Sequence, residues 1–365
     1  MTSIAALAPL LFGLHSGVFA DRRSYTFVTR SSLAIRIVVC LLCSLLLFLG
    51  KFSIGIAAVT LFALNAMSLY FESAAWAVVP RIALNEERVG LNAHHEAILL
   101  ATAMIAPWLS AVAVNGNKPG FFLVGCACTM AGCLCFVRTG EEGALSRADG
   151  GLRAGILDGV KYIFRDPVQK CISWSAMLFN FSHAAFFAVF TFYALKVLGI
   201  SVAAVAAIFF VTALGGMVAA FLTPYVIAKL GTYRAAMWSM IVLLPAGLPL
   251  VAASFASSYA PFLITVTFVA WEVAILVNVI TETTLRQERT PTHILGSVAS
   301  ASRFINWGAD PLGAGLAALL LLAFEPLSVL ALAFLGMVFA FLPLVIGRGH
   351  ARKAAWRHDP QTSSA

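Results

Sequence analysis

The sequence predicts an all-α protein that crosses a membrane many times. Two composition figures indicate this: 61% of the 365 residues are hydrophobic and only 11% are charged. A soluble domain carries about 25% charged residues, so the few charges present cannot cover the surface of a 38.8 kDa globule. The third observation is the length of the apolar stretches, which lack the polar alternation of β-barrel strands. A soluble enzyme or a nucleic-acid-binding protein is therefore excluded, despite the net charge of +8.

Eleven apolar stretches along the chain are long enough to span a bilayer as helices. Most connections between them are short, but the charged segment 139–169 separates five spans from six. The sequence thus predicts an N-terminal half (1–138), a linker (139–169), a C-terminal half (170–347) and a tail (348–365). The predicted spans are 2–20, 32–50, 53–79, 94–114, 119–138, 170–195, 200–228, 234–253, 258–284, 296–322 and 326–347.

The distribution of Lys and Arg predicts how these spans are oriented, because cytoplasmic loops collect basic residues. If the first span runs inward, 21 of the 24 basic residues fall on the inner side and only Lys51, Lys118 and Lys196 on the outer side. The linker and the C-terminus are then cytoplasmic, and the N-terminus of this chain is outside. A signal peptide cleaved after Ala20 would invert this distribution. We reject it, since no basic residue precedes the apolar stretch.

The segment GVFADRR at 17–23 resembles the loop between the second and third helices of the major facilitator superfamily. Gly17, Asp21 and Arg22 fit the family pattern, whereas residues 24–26 replace its following Gly and basic residues. The resemblance implies that Gly17, Asp21 and Arg22 form a cytoplasmic gate.

Two longer segments resemble the branch of that family that includes enterobactin exporters and macrolide-efflux-like proteins. Residues 72–93 resemble its fourth helix and the loop that follows, and residues 286–315 resemble its tenth loop and eleventh helix. The resemblance implies two pseudo-symmetric halves, with the eleven spans as helices 2–12 of a twelve-helix plan. Helix 1 is expected to be absent. This agrees with the charge distribution, because a twelve-helix member has both termini in the cytoplasm.

Acidic residues inside apolar spans are candidates for proton coupling or substrate binding, since each costs about 2.5–3.5 kcal/mol at the centre of a membrane helix. Glu272 lies deepest, near the middle of its span. It is a candidate for binding a proton or a cationic substrate, and the alternative is a hydrogen-bonded packing residue. Glu72 is a second candidate, because the resemblance places its helix on the central cavity. Glu282 precedes Arg286 by one turn, which predicts a local ion pair.

The span 296–322 carries a polar stripe. Ser300, Arg303, Asn306 and Asp310 share one helix face by their spacing, so they must face protein or water. Arg303 and Asp310 are two turns apart, and we expect them to bridge through Asn306 or through other helices. The stripe is predicted to line a translocation pathway or a gate, and the alternative is a structural network between helices.

Phe179, His183, Phe186 and Phe190 share one face of another span. They are candidates for the wall of a lipophilic pocket, with His183 as its polar group, and the alternative is packing. The sequence His-His-Glu at 94–96 does not predict a metal site, because adjacent helical residues point about 100° apart. It is expected at a solvated helix start.

These features predict a secondary active transporter that works by alternating access. The first hypothesis is proton-coupled efflux of a small lipophilic or amphipathic compound, such as a drug or a siderophore-like molecule, with the direction implied by the resemblance. An uptake permease or facilitator and a truncated, non-transporting remnant are the alternatives. We expect no enzymatic activity, cofactor, metal, nucleotide or nucleic acid. The predicted location is the plasma (inner) membrane, as a monomer that interacts with lipid, its substrate and protons.

Overall fold

The computed structural model describes residues 7–115, 119–136, 152–253 and 259–357, and these ranges contain helices and no strand. The predicted all-α fold class is therefore confirmed. The linker 139–169, the tail 348–365 and the first predicted span lie partly outside the described residues. The helices that correspond to the first five predicted spans are α1 (Leu7–Arg22), α2 (Tyr25–Phe48), α3 (Ile54–Ile82), α4 (Asn85–Asn115) and α5 (Pro119–Phe136).

A further helix, α6 (Leu152–Arg165), lies inside the predicted linker. The next helix, α7 (Pro167–Phe192), ends in a π-helical turn at Tyr193–Val197. The span predicted at 296–322 consists of two helices, which are separated at Gly308. The helices after α7 are α8 (Val202–Leu230), α9 (Thr232–Ala246), α10 (Leu248–Ala253), α11 (Ala260–Arg289), α12 (Leu295–Trp307), α13 (Ala309–Leu320), α14 (Pro326–Phe339) and α15 (Leu342–Arg357).

Within the described ranges, seven helical segments are long and apolar enough to cross a membrane, and a shorter apolar helix covers Gly120–Leu134. A protein with several membrane spans is thus supported, while the count of eleven stays a prediction. The predicted span 296–322 is not among these segments, because α12 and α13 are each too short to cross a membrane alone. The seven segments are Tyr25–Phe48, Ile54–Pro80, Pro167–Val197, Val202–Leu230, Thr232–Leu250, Ala260–Arg289 and Pro326–His350.

Polar residues at helix starts explain why several helices begin where they do. Ser24, Ser53 and Ser201 each accept a hydrogen bond from the backbone N–H three residues later. Asp166 caps α7 by accepting from two backbone N–H groups, and Pro167 occupies the first helical position. These caps satisfy N–H groups that have no partner inside the helix.

The contacts divide the chain into two compact units that differ from the two halves read from the sequence. Unit 1 includes Thr290–Phe304, which comes from the second half of the chain, and unit 2 includes Asn85–Met104 from the first half. The other segments are Met1–Leu84 and Ile105–Tyr162 in unit 1, and Ile163–Arg289 and Ile305–Ala365 in unit 2.

In unit 1, α3 packs against α1 and α2, and α2 also packs against α5. The linker helix α6 lies against α1 and the start of α12. A Cβ atom on Gly155 would lie 2.8 Å from Cγ1 of Val18, and one on Gly159 would lie 2.6 Å from the carbonyl oxygen of Ser297. These two glycines let α6 approach its neighbours closely.

Unit 2 contains the larger hydrophobic core. Helix α11 packs against α8 and α9, while α7 packs against α13 and α14. Side chains from these helices fill the core, and Trp271, Phe186 and Phe190 are among its largest fully buried members. Gly313 of α13 lies directly on the backbone of Phe181, so any side chain at 313 would force α13 away from α7.

Candidate functional site

Asp21 lies near the C-terminal end of α1 and binds the first turn of α12. Its Oδ1 atom accepts a hydrogen bond from the backbone N–H of Gly296 at 2.7 Å. Its Oδ2 atom accepts from the backbone N–H of Ser297 at 2.7 Å and from the Ser297 hydroxyl at 2.6 Å. A helix start offers unpaired N–H groups and a positive dipole end, so it favours a carboxylate. We call Asp21, Gly296 and Ser297 the Asp21 latch.

Two facing glycines allow this contact. Gly17, one turn before Asp21, lies against the carbonyl of Gly296 and the side chain of Ser300. A Cβ atom on Gly296 would in turn lie 2.7 Å from the carbonyl oxygen of Gly17 and 2.6 Å from Oδ1 of Asp21. The structure thus brings the sequence-predicted residues Gly17 and Asp21 together with α12. Arg22, the third residue of the predicted gate, is partly buried at the last position of α1.

A second cluster in unit 1 surrounds Arg303 of α12. Its Nη1 atom donates to Oε2 of Glu72 at 3.2 Å, and its Nη2 atom donates to the hydroxyl of Ser73. Ser73 is also within 2.9 Å of the Ser16 hydroxyl. The guanidinium carbon lies 5.9 Å from the centre of the Trp76 ring, within cation–π range. We call Glu72, Ser73, Trp76 and Arg303 the Arg303 site. The ion pair of Arg303 is with Glu72, and the expected bridge between Arg303 and Asp310 stays a prediction.

Beside this site lies a polar pair that the sequence reasoning missed. The hydroxyl of Tyr70 and Nδ1 of His15 are 2.6 Å apart, and the ring of Phe19 packs against both. A histidine inside an apolar stretch was the available signal, but its partner is 55 residues away in the chain. Only the packing of α1 on α3 joins them.

Glu272 lies in unit 2, on α11, beside Gly216 of α8. A Cβ atom on Gly216 would lie 2.9 Å from Cγ and 3.1 Å from Oε1 of Glu272, and also 3.1 Å from Cδ1 of Leu100 on α4. Glu96, one turn before Leu100, interacts electrostatically with Glu272. The absence of a side chain at 216 therefore leaves room for Glu272 and Leu100 beside α8.

The expected position of His94, His95 and Glu96 at a helix start was wrong. Helix α4 begins at Asn85, so the three residues lie well inside it, and the side chains of His95 and Glu96 are 38% and 16% exposed. The helix thus begins among charged and polar residues, before the apolar stretch from which its start was predicted. Glu96 was therefore missed as a neighbour of Glu272.

Two further predicted residues, Asn306 and Asp310, lie in unit 2 on either side of the interruption at Gly308. Each has a buried Oδ1 atom that makes no hydrogen bond to any residue that the structure describes. A buried acceptor without a partner costs about 1–3 kcal/mol, so each oxygen is suited to accept a hydrogen bond, and the Asp310 carboxylate is suited to bind a proton as well. The other stripe residues, Ser300 and Arg303, belong to unit 1.

The predicted aromatic wall lies in the core of unit 2. Phe186 and Phe190 are 0% and 1% exposed, and their rings stack with centroids 5.7 Å apart. His183 stacks on Phe179 at 5.4 Å and lies 4.5 Å from the ring of Phe187. The rings of Phe186 and Phe190 thus pack against other side chains in the core. For these two residues the observation favours packing over the wall of a pocket.

Other polar contacts hold α11 to its neighbours in unit 2. The predicted ion pair between Glu282 and Arg286 is confirmed. Arg286 also donates to Gln169 and Ser173 of α7, and Asn92 of α4 donates to Thr284 and Gln287. Among the described residues, no group of three or more His, Cys, Asp or Glu side chains is arranged to hold a metal ion.

Comparisons with known proteins agree with this helical architecture. A bacterial homologue of the iron transporter ferroportin, solved in an outward-facing state, matches with a TM-score of 0.72 and 16% identity over 95% of this chain and 89% of that chain. The human organic anion transporter MFSD10 (TETRAN) matches with a TM-score of 0.77 and 15% identity over 94% of this chain and 82% of that chain. No curated protein matches the sequence significantly. The family model of the Major Facilitator Superfamily matches residues 1–314, and the chain therefore belongs to this superfamily of membrane transporters.

Proposed function

We propose that this protein is a secondary active transporter that works by alternating access and exports a small lipophilic or amphipathic compound, drug-like or siderophore-like, in exchange for protons. Family membership supports transport. The observation that carries the mechanism is the Asp21 latch. It joins the end of α1 to the start of α12 across 275 residues of sequence through hydrogen bonds, which can form and break as the protein changes state.

Proton coupling is assigned to Glu272, with Asp310 as the second candidate. Glu272 is a carboxyl group within an apolar membrane helix, and Glu96 adds a second negative charge to its region. Two neighbouring carboxylates repel each other, so binding of one proton relieves the repulsion. Asp310 supports the same role through its unpartnered Oδ1 atom among the described residues.

The proposal includes eleven membrane spans, an outside position for the first residues of this sequence, a cytoplasmic C-terminus, and a monomer in the plasma membrane. It also includes the exporter branch that the motifs resemble. The human structural neighbour is an organic anion transporter, which supports an organic solute for this protein as well. An uptake permease, a facilitator and a non-transporting remnant are the competing functions.

Transport by the full chain in proteoliposomes tests this proposal. We would use ethidium, carboxyfluorescein and N-phenyl-1-naphthylamine as cationic, anionic and neutral probes. A gradient that is acid inside should drive accumulation of at least one probe while protons leave. Glu272→Gln should abolish this gradient-driven accumulation, because its amide cannot bind and release the proton. Glu325→Gln, at an exposed helix start, is the matched control and should keep full activity.

Each alternative result contradicts a specific part of the proposal. If a probe accumulates only when the outside solution is acidic, the protein is a proton symporter that works in uptake. If the probe equilibrates regardless of the proton gradient, the protein is a facilitator. If no probe crosses the membrane, the protein is a non-transporting remnant. Full coupling in Glu272→Gln overturns the assignment of Glu272.

A further inference from the structure

We propose that the Arg303 site binds the acidic group of an anionic substrate, and that Glu72 occupies this position when no substrate is bound. The inference rests on the proposed transport function and specifies its substrate class: an organic anion with a carboxylate or sulfonate group and an apolar or aromatic body.

The hydrogen bonds of Arg303 leave room for such a group. An arginine side chain carries five N–H donors, and the described residues accept from Arg303 at only two positions, on Glu72 and Ser73. Glu72 contributes a single oxygen at 3.2 Å. Strong bonds between a guanidinium and a carboxylate measure about 2.7–2.9 Å and are often bidentate. The contact with Glu72 is therefore weaker than the one a freely placed acid group would make.

The two partners of this ion pair are held unequally. The Arg303 side chain is 12% exposed, is bonded to Ser73 and lies over the Trp76 ring. The Glu72 side chain is 36% exposed, and Arg303 is the partner found for it among the described residues. Glu72 can thus turn away with little loss while Arg303 stays in place. An anion replaces Glu72 more easily than a cation replaces Arg303.

The surroundings of the ion pair suit an apolar substrate body. Trp76 lies one helical turn after Glu72, so the two side chains project from the same face of α3. A ring attached to an acid group that replaces Glu72 would therefore reach the indole. Flat aromatic surfaces stack favourably on tryptophan, with a gain beyond the area that they bury. The site thus combines one charge anchor with one stacking surface.

Binding to the purified full-length protein tests the inference through three probes with one naphthalene body. We expect 1-naphthaleneacetate to raise the melting temperature, and 1-naphthalenemethylamine and 1-naphthaleneethanol to leave it unchanged. Arg303→Gln should abolish the shift. Arg303→Lys should weaken binding by about tenfold, because it keeps the charge but loses the planar fork. Glu72→Gln should tighten binding by about tenfold, because a neutral amide competes less well for Arg303. Glu325→Gln should bind like the wild type.

The inference is overturned if Arg303→Gln keeps the full shift with 1-naphthaleneacetate, or if the amine stabilises the protein and Glu72→Gln removes that effect. If Arg303→Gln does not fold, Glu72→Gln decides alone: tighter binding supports the inference, and unchanged binding contradicts it. If the proteoliposomes transport a probe along the gradient but 1-naphthaleneacetate does not bind, only the proposed substrate class is refuted. If 1-naphthaleneacetate binds through Arg303 but no probe is transported, only the proposed transport function is refuted.

Discussion

Two acidic side chains of unit 1, Asp21 and Glu72, both bind residues of α12 but do so in different ways. Asp21 is 2% exposed, and both of its oxygens accept hydrogen bonds from Gly296 and Ser297. Glu72 has a side chain that is 36% exposed and offers one oxygen to Arg303 at 3.2 Å. One carboxylate is enclosed by its partners, and the other is held at one atom only.

This difference indicates different roles for two residues of the same charge type. Several hydrogen bonds to a buried carboxylate stabilise one arrangement of two helices, and losing them requires the helices to separate. A contact through a single oxygen fixes the two helices less firmly and can exchange with another acid group. We therefore propose that Asp21 controls conformation and that Arg303 contacts the substrate once Glu72 has turned away.

The largest effect is expected for Gly17→Ala. The added methyl group would overlap the carbonyl of Gly296 and the side chain of Ser300, so α1 and α12 must move apart. Overpacking alone costs about 1–3 kcal/mol, and the bonds of the Asp21 latch are lost in addition. The melting temperature of the purified protein should fall sharply.

Gly13→Ala is the matched control, because it lies one turn earlier on α1 and its nearest neighbour, a ring carbon of Phe304, would be 4.0 Å from the new Cβ. It should melt within a few degrees of the wild type. Equal melting temperatures for the two variants would contradict the close contact at Gly17.

A smaller but specific effect is expected for Asp21→Asn. The amide keeps the shape of the side chain but turns one acceptor oxygen into a donor, which then faces an N–H group of Gly296 or Ser297. Loss of a hydrogen bond to a charged group costs about 1.5–3 kcal/mol. Hydrogen–deuterium exchange at Gly296 and Ser297 should accelerate. Asp158→Asn, an exposed position on α6, should leave this exchange unchanged, and protected amides in Asp21→Asn would argue against the latch.

The smallest effect on stability is expected for Glu72→Gln. Glu72 contacts Arg303 through one oxygen, and the amide of the variant keeps an oxygen that can accept the same hydrogen bond, so the melting temperature without ligand should fall less than in Asp21→Asn. A loss of stability as large as that of Asp21→Asn would remove the distinction between the two carboxylates. Glu72 would then be a structural residue.

The helical architecture was predictable because the bilayer leaves a sequence few alternatives. Each predicted span coincides with one or more helices, since a membrane helix must satisfy its backbone groups internally. The ends were less predictable. Helix α4 begins nine residues before the predicted start at 94, at Asn85, because a helix continues as long as backbone bonds and packing favour it, whatever the polarity of its residues.

The partners within the candidate sites were not predictable from spacing. Glu72 and Arg303 are 231 residues apart and meet only because α3 packs near α12. The motif predicted Asp21 as a site residue, but it did not predict that Asp21 accepts hydrogen bonds from the N–H groups of Gly296 and Ser297. Glu96 was missed as a partner of Glu272 because the two residues lie on different helices, 176 residues apart in the sequence, and only the packing of the helices relates them.

The central claim is that the Asp21 latch opens and closes during transport. Spin labels at Arg23→Cys and His293→Cys, both exposed and next to the latch, would report this in a variant that lacks the native cysteines. Pulsed electron paramagnetic resonance in lipid nanodiscs should show a short and a long distance in the wild type, in a ratio that changes with pH and ligand. The long distance should dominate in Asp21→Asn. A single distance, identical in both proteins under all conditions, would contradict the claim.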